Sequence, residues 1–335
     1  MDSSIHPSMD LFAHGWFFSL VDGSVRPWEL SWQQRRLMLV LSMKYALGRA
    51  SIRRSINLAV RRRVNGSGCD AAMLTLISFM GLRDFGYGQI VTIGDSLTEY
   101  GASKPGGWGH LLASHYSRKL DVVARGFASY TTYWLKFAIP ALLHDTPPYK
   151  IKLFTLLLGT NDYVQPTSNK HVPLEKYVRN MEEIIRFLLS FAPGAKILVL
   201  APPPMAVKII QDPNDGSIYA TLDDARAYRD ACIALISQLQ LENANILARM
   251  QVLNTWDLFA SRKQYDDPNF DPARIVGKYF SDPRHFNGLG NCVLFEGVIE
   301  IVDASWPELK AINLPHVLPA DYENGPSVEL DNDDK

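Results

Sequence analysis

The stretch Gln89-Ile-Val-Thr-Ile93 runs directly into Gly94-Asp95-Ser96-Leu97-Thr98-Glu99-Tyr100-Gly101. A short β-branched run suits a strand buried in a parallel sheet, and the Gly-Asp-Ser after it suits a tight turn that delivers Ser96 to the start of a helix. A serine at such a turn sits outside the carboxyl end of the sheet, where unpaired N–H groups of the helix start can hold a developing oxyanion. The same residues also suit a plain helix start in which Asp95 or Ser96 does no more than cap. The rest of the chain decides between the two.

Working outward, the 335 residues have room for two domains or for one α/β domain with an appendage. An apolar share of 47% and a charged share of 21% are those of a globular protein, and a net charge of -1 gives no general pull toward nucleic acid or anionic membrane. Cys69, Cys232 and Cys292 lie far apart with no C-x-x-C pair, which predicts reduced, mostly buried thiols in an intracellular, cytoplasmic protein. Met1 to Trp16 carries Asp2, His6, Asp10 and His14 and does not read as a cleavable secretory signal. The longest apolar stretch, Ala71 to Leu82, is too short to span a bilayer.

Toward the amino terminus, residues 1–85 form a basic extension. Between Ser31 and Cys69 there are nine Lys or Arg residues and no Asp or Glu. An organelle-targeting or membrane-surface helix fits that block, and so does an extension docked on the domain or left disordered. Asn65-Gly-Ser-Gly68 reads as a flexible break. At the other end, residues 317–335 form an acidic tail of the kind that is usually solvated.

Between these ends, residues 86–316 alternate in period. Helices are expected at about Gly107 to Lys119, Thr131 to Leu143, Pro173 to Phe191, Leu222 to Leu241 and Asn287 to Ala304. Strands are expected at Gln89 to Ile93, Asp121 to Arg125, Ile151 to Leu158, Lys196 to Ala201 and Asn245 to Leu253. Strands alternating with helices predict one doubly wound parallel sheet.

The carboxyl ends of those strands carry the candidate chemistry. The second ends in Arg125-Gly126-Phe127, where glycine lets a backbone N–H approach a ligand or serves only as a turn. The third ends in Gly159-Thr160-Asn161-Asp162, where the Asn161 amide has donors for the same spot, although Asn and Asp also favour turns for local reasons. Near the end comes Asp282-Pro283-Arg284-His285. Of the eight histidines, His285 alone has an Asp three residues before it, a spacing that lets the carboxylate orient the imidazole.

Taken in order, Gly94-Asp95-Ser96-Leu97, Gly126, Gly159-Thr160-Asn161-Asp162 and Asp282-Pro283-Arg284-His285 resemble the blocks of the SGNH, or GDSL, hydrolases. GGWGHLL, ARGFASYTTYW, LLLGTNDY, HVPLEKYVRN and SDPRHFNGLGN are similar to the isoamyl acetate-hydrolysing esterase branch of that family. The likeness runs from about Gln89 to Pro315. It implies a flavodoxin-like three-layer α/β/α sandwich with Ser96 as nucleophile, His285 as base and Asp282 as its orienting acid. It also implies an oxyanion hole from the N–H groups of Ser96 and Gly126 and the Asn161 amide. The chain departs from the branch at Ser129, where a small turn residue is usually glycine, and at Pro283 and Arg284, which replace a more neutral pair. The expected activity is hydrolysis of small or short-chain acyl esters such as acetates, with no metal or organic cofactor. Lysophospholipid, thioester and acetylated-sugar cleavage suit the same site, and a non-enzymatic binding module is the remaining alternative. The expected partners are an ester and water, with no nucleic acid and no transmembrane span, and a homodimer is left open. His110, His115, His144 and His171 are scattered without ligand spacing. Asp95 and Asp162 are expected to brace turns, while Glu99, Trp134 and Tyr163 are candidates for lining the pocket.

Overall fold

A strand shielded by helices on both faces has no solvated side, so its sequence loses the polar alternation of a half-exposed strand. The computed structural model describes residues 86–267 and 269–317. The basic block, Cys69, the stretch Ala71 to Leu82 and the tail from Asp321 lie outside the described residues. In chain order the described part contains β1 (Gly88–Gly94), α1 (Ser96–Ser103), α2 (Trp108–His115), β2 (Leu120–Gly126), α3 (Thr132–Leu142), β3 (Ile151–Leu157) and α4 (Leu174–Phe191). There follow β4 (Lys196–Leu200), β5 (Ile209–Gln211), β6 (Ile218–Thr221), α5 (Leu222–Glu242), α6 (Ala244–Arg249), β7 (Met250–Leu253) and α7 (Gly288–Ser305).

Five strands form one sheet in the order β2-β1-β3-β4-β7, and every pairing is parallel. This is the doubly wound, flavodoxin-like order, whose direction reverses between β1 and β3. β1, β3 and β4 are central and almost wholly buried, with Val91, Ile93, Phe154, Leu156, Leu198 and Val199 closed to solvent. β2 is an edge strand and only partly buried. One face is covered by α3, α4 and α5 packed side by side, the other by α1, α2 and α7. The fold is therefore a three-layer α/β/α sandwich, with α1 leaving β1 at the switch point where such sheets hold their ligands.

Several elements differ from the periodicity. The expected helix over Gly107 to Lys119 is α2 alone, because the chain turns through a left-handed Arg118 (φ 64) to enter β2. The expected strand over Asn245 to Leu253 is mostly helix: Asn243 caps α6 by accepting from Ile246 N at 3.0 Å, and only Met250–Leu253 is strand. The antiparallel hairpin β5–β6 and the one-turn helices Trp256–Phe259, Arg262–Tyr265 and Pro272–Ile275 had no clear periodic signal, being too short to show one.

Candidate active site

Ser96 is the first residue of α1, and the cap is Asp95, whose carboxylate accepts from Leu97 N at 2.9 Å. Capping by Asp95 leaves the Ser96 hydroxyl free for another partner. The start of α1 is fixed from outside as well: the Trp108 indole donates to Leu97 O at 2.9 Å, and Asn291 Oδ1 accepts from Trp108 N at 3.1 Å. The turn that carries Ser96 is thus held by α2 and, through it, by α7.

The partner of Ser96 arrives from far along the chain. Ser96 Oγ lies 2.9 Å from His285 Nε2, and His285 Nδ1 lies 2.8 Å from Asp282 Oδ2. With the proton on Nδ1 directed at the carboxylate, Nε2 is left to accept from the serine hydroxyl. The other oxygen, Asp282 Oδ1, accepts from Arg284 N at 2.8 Å and His285 N at 2.9 Å. Partial burial pulls the Asp282 carboxyl upward, but the two backbone donors and the imidazole outweigh it and hold the group below the usual carboxylate range. Asp282 is therefore a carboxylate at neutral pH, able to orient the ring. The Tyr100 ring, one helical turn beyond Ser96, stands 5.2 Å from the His285 ring.

The loop after β3 joins this group. Thr160 donates its hydroxyl to Asp95 Oδ2, and Arg284 Nη1 donates to Thr160 O at 3.1 Å, with its guanidinium 5.2 Å over the Tyr219 ring of β6. Buried Asn161 gives one amide hydrogen to Tyr130 O at 3.0 Å, and an amide nitrogen carries two. Next to it Asp162 accepts from Thr132 N at 3.0 Å and from the Thr132 hydroxyl. Burial pushes the Asp162 carboxyl up to about 7 against those bonds, with the nearby Asp95 adding to the rise. Asp95 is also raised, first by burial. Both acids brace their loops.

Gly126 stands differently from the sequence expectation. Phe127 N donates to Gly94 O at 2.9 Å, so by strand alternation the Gly126 N–H faces the opposite way, away from β1 and toward the side of β2 that pairs with no strand among the described residues. What the position requires is space, because a Cβ there would lie 2.1 Å from Glu99 N. On the loop that follows, Phe127 N, Ala128 N and Tyr130 N are bonded to Gly94 O, the Glu99 carboxylate and Phe127 O. Ser129 between them has φ 69.

Glu99 thus braces the loop after β2 and Tyr163 is buried in the core, while Trp134 is exposed on α3. The sequence reading missed the supporting roles of Thr160, Arg284, Trp108 and Tyr100. Their signal was weak: the first three sit inside quoted blocks, and Tyr100 follows Ser96 at the i+4 spacing that shares a helix face. His110, His115 and His144 are exposed and His171 is half-buried with Nδ1 2.6 Å from Val164 O. Cys232 is buried, whereas Cys292 is partly exposed with Sγ 3.7 Å from Glu296. Among the described residues no group of His, Cys, Asp and Glu is placed to hold a metal ion, and no helix is long and apolar enough to cross a membrane.

Residues 92–291 match the GDSL-like Lipase/Acylhydrolase family. A GDSL esterase/lipase of Arabidopsis thaliana is 31% identical over 68% of this chain and 91% of its own length. The isoamyl acetate-hydrolyzing esterase 1 homolog of Mus musculus is 27% identical over 69% of this chain and 86% of its own. Among solved structures, an acetyl xylan esterase from Geobacillus stearothermophilus aligns with a TM-score of 0.44 at 17% identity, covering 64% of this chain and 94% of that one.

Proposed function

This chain belongs to the GDSL-like lipase/acylhydrolase family and is a carboxylic ester hydrolase, and from that premise we propose that it cleaves small, short-chain acyl esters through a covalent acyl-Ser96 intermediate. The observation that carries the mechanism is the 2.9 Å contact between Ser96 Oγ and His285 Nε2, with Asp282 on the other ring nitrogen. His285 Nε2 takes the hydroxyl proton as Ser96 Oγ attacks the ester carbonyl, and Asp282 holds the ring's tautomer and offsets its transient positive charge. The imidazolium then protonates the leaving alcohol as the C–O bond breaks. Water, deprotonated by the same nitrogen, attacks the acyl-enzyme and releases the acid.

The tetrahedral oxyanion needs donors aimed at it before it forms. Two candidates are the Ser96 N–H, in the first turn where no intrahelical acceptor exists, and the second amide hydrogen of Asn161. Ser129 N–H takes the place expected of Gly126. It belongs to the one residue of the 127–130 loop whose amide has no acceptor among the bonds described, and its left-handed backbone sets it apart from its neighbours. The catalytic unit in this reading is residues 86–316.

The preference for short acyl chains leans on the isoamyl acetate-hydrolyzing name of several relatives. Lysophospholipid, thioester or acetylated-sugar cleavage would use the same groups with a different pocket. The test is hydrolysis of para-nitrophenyl esters across acyl-chain length. A kcat/KM that is greatest for acetate or butyrate and falls for long chains is expected; a maximum at long chains would overturn the preference and leave the chemistry standing.

A further inference from the structure

Between α3 and α4 lies a cavity of about 470 Å3 that none of Ser96, Asp282 and His285 lines, and its charge is unlike that of the whole chain, which is -1. Four cations stand on its walls, Lys136, Lys170, Lys176 and Arg179, against one acid, Glu183. Glu183 is already taken by Lys136 at 3.1 Å. Lys170, Lys176 and Arg179 form no ion pair among the described residues, so three positive charges face one cleft without compensation. The long helix α4 adds to this field. Its positive end starts at Pro173 on the cavity wall with no side-chain cap, whereas α3, α5 and α7 are each capped by a side chain. Concentrated charge of one sign in a concave site raises the local concentration of the opposite ion.

The remaining walls are not a bare electrostatic patch. Trp134 presents its ring with 39% exposure, and the buried Asn180 amide, which donates to Thr132 Oγ1 at 3.1 Å, lies among the lining residues. The volume falls in the range of small-molecule pockets, roughly 300 to 1,000 Å3. The cleft also adjoins the catalytic loops. Thr131 on its wall follows Tyr130, whose carbonyl accepts from Asn161, and Val172 on its wall donates N–H to Asp162 O at 3.1 Å.

We propose that this cavity is a second binding site, for a small molecule bearing a phosphate or carboxylate on an apolar or aromatic body, with the anion held by Lys170, Lys176 and Arg179 and the body laid on Trp134. The anion is either the far end of the ester substrate or a separate ligand, and the two arms of the test distinguish them. In the first arm the full chain is titrated with inorganic pyrophosphate by calorimetry, beside a double variant carrying Lys176→Glu and Arg179→Glu, both exposed positions. Saturable binding is expected in the wild type, weakened at least about tenfold in the double variant and by added salt. Calorimetry needs no turnover, so failure here is distinct from failure of the catalytic reading above. In the second arm kcat/KM is compared for para-nitrophenyl octanoate and its ω-carboxylated counterpart. A loss of about tenfold in the double variant on the charged ester alone identifies the substrate's own tail, and unchanged values on both identify a separate ligand. Absence of saturable pyrophosphate binding to the wild type, or equal binding to the double variant, would overturn the site.

Discussion

Ser129 shows how one backbone angle separates a structural demand from a chemical one. Its φ of 69 lies in the left-handed region, where a Cβ crowds the backbone and glycine is the residue without that cost. Replacing it with glycine relieves this strain while adding unfolded-state entropy, so Ser129→Gly is expected to gain on the order of 0.5 kcal/mol. Its midpoint should rise by about one or two degrees with kcat unchanged, since the N–H remains. A fall in the midpoint would show that the hydroxyl supports the loop. At this scale the sequence was readable wherever a residue type implies its own chemistry. Ser96, His285 and Asp282 lie within hydrogen-bond distance of one another in that order, a grouping that side-chain type and motif order could suggest because each residue carries its own polar group. Gly126 was not readable, since a residue contributing only its backbone depends on which way the strand turns that N–H, and the alternation is set by the pairing with β1.

Between elements, Asp162 ties the loop after β3 to the start of α3, with its carboxylate accepting from the Thr132 N–H and hydroxyl. Its pKa in the folded chain is about 7 against an ordinary 3.8, so the folded state holds a proton that the unfolded state releases. The stabilisation from this group is whole below about pH 4 and is lost as pH rises through about 7. Asp162→Asn keeps an acceptor for Thr132 N but does not titrate, so its midpoint should change less between about pH 4.5 and 7.5 than the wild type's. Equal slopes in the two proteins would show that the carboxyl is not the titrating group. The elements most faithful to the sequence are those whose burial governs them: β1, β3 and β4 are mostly apolar and buried beyond their first one or two residues, because both faces are covered. The misread element, α6, is short and capped at Asn243, and its apolar residues satisfy a strand pattern as readily as one and a half helical turns.

For the molecule as a whole, the candidate site draws on the carboxyl ends of β1, β2 and β3 and the loop before α7, so every group proposed to act on the ester lies between Ser96 and His285. A chain beginning near residue 84 is therefore expected to keep kcat/KM on a short acyl ester within about tenfold, or roughly 1.4 kcal/mol. A greater loss at normal thermal midpoint would mean that the basic extension shapes the site. The topology was legible because alternation of strand and helix constrains a parallel sheet to few arrangements. The α3–α4 cavity was not, because its cations are spread over Lys136 to Arg179 and only the packing of α3 against α4 and the loop before it gathers them. The most direct measurement of the central claim is the intact mass of the protein after reaction with a fluorophosphonate, followed by peptide mapping. One adduct on Ser96, absent from Ser96→Ala together with on the order of 10⁴-fold or more of kcat, is the expected result. A Ser96→Ala protein that is folded and labels as strongly as the wild type would contradict the assignment of Ser96 as nucleophile.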